Sequence, residues 1–123
     1  MKKFSKSWIK SKKPAKQRKF VFNAPLHIKT KFVVSHLSKD LRKKYNHRGL
    51  RVRVGDKVVV TRGQFRKKSG KVEKIRVSDC KVYITGIEMA KKDGSKTLYP
   101  IHASNLMITE LNLSDKKRIE VKK

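Results

Sequence analysis

After Gly49 the chain alternates apolar and polar residues in short runs rich in β-branched side chains: DKVVVTR, GKVEKIRV, CKVYITGI, SKTLYPIH and NLMITEL. Turn-forming residues separate the runs, and the pattern predicts five short strands. Asp93-Gly94, between IEMAKK and SKTLYPI, reads as a two-residue hairpin turn, because both residues tolerate the positive φ such a turn demands. Val72 and Ile75 are three apart rather than two, which predicts a bulge in that strand. Val58, Val60, Val72, Ile75, Val77, Val82, Ile84, Leu98, Ile101, Leu106, Ile108 and Leu111 form the expected core. Each contributes on the order of 1.5 to 3 kcal/mol when buried, enough to close a small barrel.

Ahead of Gly49 the period changes. Leu26, Val33, Leu37, Leu41 and Tyr45 recur at spacings of seven and four, a helical stripe. Pro25 and Ser38 suit helix starts, Asp40 sits in a first turn, and Gly49 suits the reversal that follows. Two helices are expected, over 25–34 and 38–45. From Met1 to Phe22 the apolar residues keep no sustained period, so the stretch reads as a basic tail that is disordered in isolation. Its Trp8, Ile9, Phe20 and Phe22 either stack between RNA helices or dock on the protein's own domain. The end, LSDKKRIEVKK, offers Ser114 as the cap of a final helical turn. The chain therefore divides into a tail (1–22), a helical extension (23–48), a β domain (49–112) and a short basic C-terminal tail (113–123).

Charge narrows the function. Thirty-five Lys and Arg stand against nine Asp and Glu, a formal net charge of +26 on 123 residues. One small domain with that field repels itself unless a polyanion neutralises it. A membrane surface would call for a broad amphipathic face or a long apolar run, and the sequence has neither; nucleic acid is the preferred partner. No apolar stretch follows the basic start MKKFSKSWIKSKK, which argues against a secreted cationic peptide and for a protein that stays inside the cell. KKPAKQRK, Lys12 to Lys19, is compatible with a nuclear-import signal and with an RNA-penetrating tail, and the tail reading is favoured.

Catalytic and metal chemistry find no support. The nine acids are scattered without a pairing motif, and Asp56 after Gly55 reads as a turn residue before the first strand. His27, His36, His47 and His102 match no zinc spacing. Cys80, the single cysteine, reads as an ordinary strand or turn residue. No enzyme activity, cofactor or metal is expected.

The most informative stretch is RGQFRKKSGKV, Arg62 to Val72. Gly63 ends one strand and Gly70 begins the next, so QFRKKS is a basic connection in which glycine admits positive φ or the close approach of another backbone or a phosphate. Arg62, Arg66, Lys67, Lys68 and Lys71 are candidate contacts to phosphate or sugar, with Gln64 donating to a backbone or base edge. The planar guanidinium also stacks on bases, which makes Arg62 and Arg66 the anchors. Phe65 is either a base-stacking platform or a plug on the domain. Lys12, Lys13, Lys16, Arg18 and Lys19 in the tail, His27, Lys29 and Lys31 in the helical extension, and Lys91 and Lys92 before the hairpin turn complete the candidate RNA-binding set.

Gly55 to Ile75, GDKVVVTRGQFRKKSGKVEKI, resembles a KOW motif, the strand-loop-strand element of SH3-like barrels in ribosomal proteins and transcription elongation factors. NAPLHIKTKFVVSHLSKDLRKKY, DGSKTLYPIHASNLMITEL and LSDKKR resemble the archaeal and eukaryotic branch of large-subunit ribosomal protein twenty-four, called twenty-six in eukaryotes. The resemblance implies a mainly β fold, a small SH3-like five-stranded barrel with a basic tail and two short N-terminal helices. It also implies a structural constituent of the large subunit that binds the 5′ region of its ribosomal RNA early in assembly. Such a protein lies near the peptide tunnel exit beside neighbouring ribosomal proteins, in the cytoplasm, with no membrane and no homo-oligomer. The alternative is a KOW-type transcription elongation module, which would need an apolar patch to dock on polymerase. Two positions depart from the family: Lys67 stands where glycine is usual, costing roughly 1 kcal/mol if φ is positive there, and HASN replaces the frequent HPSN at Ala103. A short C-terminus leans the match toward archaea.

Overall fold

The computed structural model describes Phe4 and residues 10–119. Helices α1 (Pro14–Asn23) and α2 (Leu26–Lys29), the latter extended by a 3-10 turn (Thr30–Phe32), lead into strand β1 (Val34–Leu37) and helix α3 (Lys39–Tyr45). Strands β2 (Gly49–Arg51), β3 (Lys57–Val60), β4 (Ser69–Arg76), β5 (Lys81–Ile84), β6 (Glu88–Ala90), β7 (Lys96–Leu98), β8 (Ile101–His102) and β9 (Leu106–Glu110) follow. Seven strands form one mixed sheet in the order β2-β1-β9-β3-β4-β5-β8, with β1 and β9 parallel, and β6-β7 is a separate hairpin.

The expected five-stranded barrel is not what forms: the sheet is open, with β2 and β8 at its two ends and no pairing between them. Proline supplies the local reason. The run read as a single strand, SKTLYPIH, breaks at Pro100, which has no N–H to donate. Its first half, β7, pairs with β6. Its second half returns to β5 as the two-residue β8, too short to carry the sheet around to β2.

A second correction concerns the helical stripe. Val33 and Leu37 are buried as expected, but the segment between them is the strand β1, with Ser35 buried as well. A spacing of four fits one helical turn and also two strand repeats, and the β-branched pair Val33-Val34 favours the strand. The Ser35 hydroxyl donates to the Ala103 carbonyl at 2.5 Å. Helix α3 starts as expected, with the Ser38 oxygen accepting from the Leu41 N–H at 3.4 Å. It ends on Asn46 in the left-handed region (φ 54°), not on Gly49. Asn46 suits that place because its short polar side chain tolerates the conformation.

The core comprises Val33, Leu37, Val52, Val58, Val60, Val72, Cys80, Val82, Ile84, Ile87, Ile101, Ala103, Leu106 and Ile108, with Ile75, Val77 and Leu111 packed on its margin. The bulge lies where the spacing placed it: Val72 pairs with Ile84 and Lys74 with Tyr83, leaving Glu73 extra. The hairpin turn is longer than expected. Lys91 N–H bonds Ser95 O at 2.8 Å and Gly94 N–H bonds Lys91 O at 3.0 Å. Gly94, but not Asp93, takes positive φ, and the Asp93 carboxylate instead accepts from the Ser95 N–H at 3.0 Å.

Asp56, far from a simple turn residue, is fully buried. Arg118 meets it in a two-pronged ion pair, Nη1 to Oδ1 and Nη2 to Oδ2, each at 2.6 Å. The carboxylate also accepts from the Arg53 and Asn112 N–H groups at 2.8 and 2.9 Å. Arg118 further donates to the Asn112 and Arg51 carbonyls at 2.8 and 3.0 Å. Buried charge is tolerated when it is paired and hydrogen-bonded in this way, although among the described residues the Arg118 Nε is buried without a partner. The consequence is a C-terminal segment fixed to the root of β3. Its 3-10 turn (Lys116–Arg118) is capped by Asp115, whose Oδ1 accepts from the Lys117 N–H at 2.9 Å, and not by Ser114.

Candidate nucleic-acid interface

The basic loop between β3 and β4 is held at both ends by backbone bonds. Val60 N–H reaches Lys68 O at 2.9 Å, Lys67 N–H reaches Val60 O at 2.8 Å, and Arg66 N–H reaches Gly63 O at 3.1 Å. Thr61 joins the loop to the 3-10 turn before β9, donating N–H and Oγ1 to the Asn105 carbonyl at 2.8 and 2.9 Å. Glycine acts differently at the two brackets. At Gly63 the conformation demands it, with φ +95° and open space around. At Gly70 the packing demands it, since a Cβ would lie 2.4 Å from the Thr85 carbonyl oxygen. What approaches Gly70 is the protein's own backbone.

Lys67 stands at φ 71°, so this position does take the left-handed conformation, and the chain carries the strain of a side chain there. Arg62, Gln64, Arg66, Lys67 and Lys68 are exposed. Among the described residues none of these four cations is within ion-pair distance of a carboxylate; the pairs that form are Arg53–Asp115, Lys57–Glu110, Arg76–Asp79 and Arg118–Asp56. Phe65 is half-buried, its ring centroid 4.9 Å from that of Tyr99, with the Lys68 ammonium 5.3 Å above it. Lys71 is exposed on β4 opposite Lys57, and the latter is occupied by Glu110 at 2.8 Å.

The other candidates lie on three separate elements. Lys12 and Lys13 precede α1, and Lys16, Arg18 and Lys19 are exposed on it. This helix occupies the stretch read as an unstructured tail. Pro14 at its first position and Ala15, Lys16, Gln17 and Arg18 after it are favourable there. Phe20 docks it: the ring lies 5.0 Å from Phe4 and 6.1 Å from Phe32. Phe22 remains 82% exposed, while Trp8 and Ile9 fall outside the described residues. His27 is exposed on α2, Lys29 ends that helix half-buried, and Lys31 is exposed in the following 3-10 turn. Lys91 and Lys92 are exposed at the tip of the β6-β7 hairpin.

Two histidines sense this field. His36 on β1 is held below its ordinary 6.5 by burial and then by the Arg42, Arg62 and Arg48 guanidiniums. Burial and the Lys81 ammonium lower His102 in the same way. Both rings are therefore neutral near neutral pH. Burial pushes the Cys80 thiol up, away from nucleophilic character. Among the described residues no three His, Cys, Asp or Glu side chains come together as a metal site, and no helix is long and apolar enough to cross a membrane.

Sequence reasoning passed over Lys81, Tyr99 and Asn105, which with His102 line a cleft on the loop's β8 side. Only Tyr99, an aromatic next to a proline in a basic chain, carried a usable signal.

The model of the family that comprises eukaryotic ribosomal protein L26 and its archaeal counterpart, large-subunit protein twenty-four, matches residues 11–122. The chain belongs to that family: it is a structural protein of the large ribosomal subunit and not an enzyme. Membership carries with it association with ribosomal RNA and with other ribosomal proteins.

Proposed function

We propose that the chain binds the 5′ region of large-subunit ribosomal RNA early in subunit assembly and lies in the finished particle near the peptide tunnel exit, in the cytoplasm. The observation that carries the RNA-binding half is the β3-β4 loop, a preorganised backbone presenting four cations that lack carboxylate partners among the described residues. The placement half rests on family membership. Arg62 and Arg66 are the proposed anchors on phosphate, with Lys67, Lys68 and Lys71 beside them. Helix α1, studded with Lys16, Arg18 and Lys19, follows a second stretch of backbone. Lys and Arg displace counterions from the phosphates, while irregular RNA shape and 2′-hydroxyls supply selectivity.

Chemical footprinting of large-subunit RNA with and without the protein tests this reading. Protection is expected in the 5′ region; protection confined to other regions would move the site, and no protection anywhere would remove the function.

A further inference from the structure

Between the basic loop and β8 lies a cleft of about 170 Å³. That is smaller than the roughly 300 Å³ of pockets that take whole cofactors, and close to the roughly 150 Å³ that holds one aromatic ring. The buried Val60 and Ile101 are among its lining residues, while the larger part of its exposed surface is polar. One wall is the Phe65–Tyr99 ring pair. Arg62 and Lys81 also line it, neither within ion-pair distance of a carboxylate among the described residues. Asn105 and His102 supply the polar edge. The His102 Nδ1 lies 2.9 Å from the Ser104 hydroxyl and 3.3 Å from the Ser104 N–H, which holds the ring in place at the cleft. Thr61 fastens the loop to Asn105, which sets the width of the opening before any ligand arrives.

An aromatic ring pair, a few neutral hydrogen-bonding groups and two cations around one small cleft match the parts of one nucleotide: a π-face, a base edge and a phosphate. We propose that this cleft takes a single unstacked nucleotide of the ribosomal RNA, its base against the Phe65–Tyr99 wall and its phosphate beside Arg62 and Lys81. The inference rests on the RNA-binding reading above and adds a base-binding position to a surface otherwise devoted to phosphate. Phe65 then serves both as a packed residue of the domain and, through the same ring pair, as part of a platform.

The test uses the full chain and a large-subunit RNA transcript. After ultraviolet irradiation, mass spectrometry should find a nucleotide adduct on Phe65 or Tyr99. Asn105→Leu removes a polar edge without touching the carbonyl that holds Thr61, and Tyr99→Leu removes a ring. Each should weaken binding roughly tenfold and leave the salt slope as in the wild type. Adducts confined to other segments, or two variants that bind as tightly as the wild type, overturn the cleft and leave the RNA-binding reading intact. A wild-type chain that does not bind the transcript removes both.

Discussion

Strand β3 has charge at both of its ends, and the two ends use it in opposite ways. At its root Asp56 and Arg118 are buried, paired at 2.6 Å, and further bonded to four backbone groups. At its tip Arg62, Arg66, Lys67 and Lys68 are exposed, and among the described residues none has a carboxylate partner. The partner, and not the charge, sets the role. An ion paired and hydrogen-bonded inside the protein fixes the fold, whereas cations left facing solvent hold their electrostatic free energy in reserve for a polyanion.

The largest expected effect breaks the root. Arg118→Leu leaves the Asp56 carboxylate buried without its guanidinium, which should cost about 3–5 kcal/mol in urea unfolding. RNA affinity of the remaining folded protein should change little. At the tip the pattern reverses: Arg62→Ala with Arg66→Ala should leave stability within about 0.5 kcal/mol and lower RNA affinity. In the same titrations the slope of log K against log salt should flatten by roughly 1.4 to 1.8, for two phosphates at ~0.7 to 0.9 each. Equal effects of the two changes on folding and on binding would erase the distinction.

Lys67 belongs to both sides, since it is strained in the fold and charged toward the ligand. Lys67→Gly should stabilise by about 1 kcal/mol through relief of the left-handed conformation, while flattening the salt slope by less than one full unit. Thermal denaturation and RNA titration of this one variant read the two terms separately.

The smallest effect is pH dependence. His36 and His102 have folded values below the ordinary 6.5, so the unfolded chain binds more protons as pH falls through that range. Stability is full above about 7 and declines as the pH drops through 6.5 toward the depressed folded values. His36→Gln should shallow the decline, as followed by urea unfolding across that window.

Strands β3, β4, β5 and β9 and the bulge at Glu73 were legible because period-two alternation is a local signal, whereas the three-residue β2 lay outside the five expected runs. The fate of SKTLYPIH was not legible, because a proline's effect depends on which neighbour needs its missing N–H. Strand β1 hid behind a four-residue spacing that helix and strand share. The loop's position was legible from charge and glycine placement, whereas positive φ at Lys67 was only a condition raised by the resemblance, one that the backbone meets. The loop's second wall was not legible: Tyr99, His102 and Asn105 come to line the same cleft as Phe65 only through tertiary folding. Asp56 illustrates the same limit, since nothing near it in sequence announces an arginine at position 118.

The central claim is that the uncompensated cations face RNA phosphate. Titrating the full chain with large-subunit RNA across a salt series measures it directly. With about ten phosphates neutralised, log K should fall with log salt at a slope near −7 to −9. An affinity unchanged as salt is raised toward molar levels would contradict it.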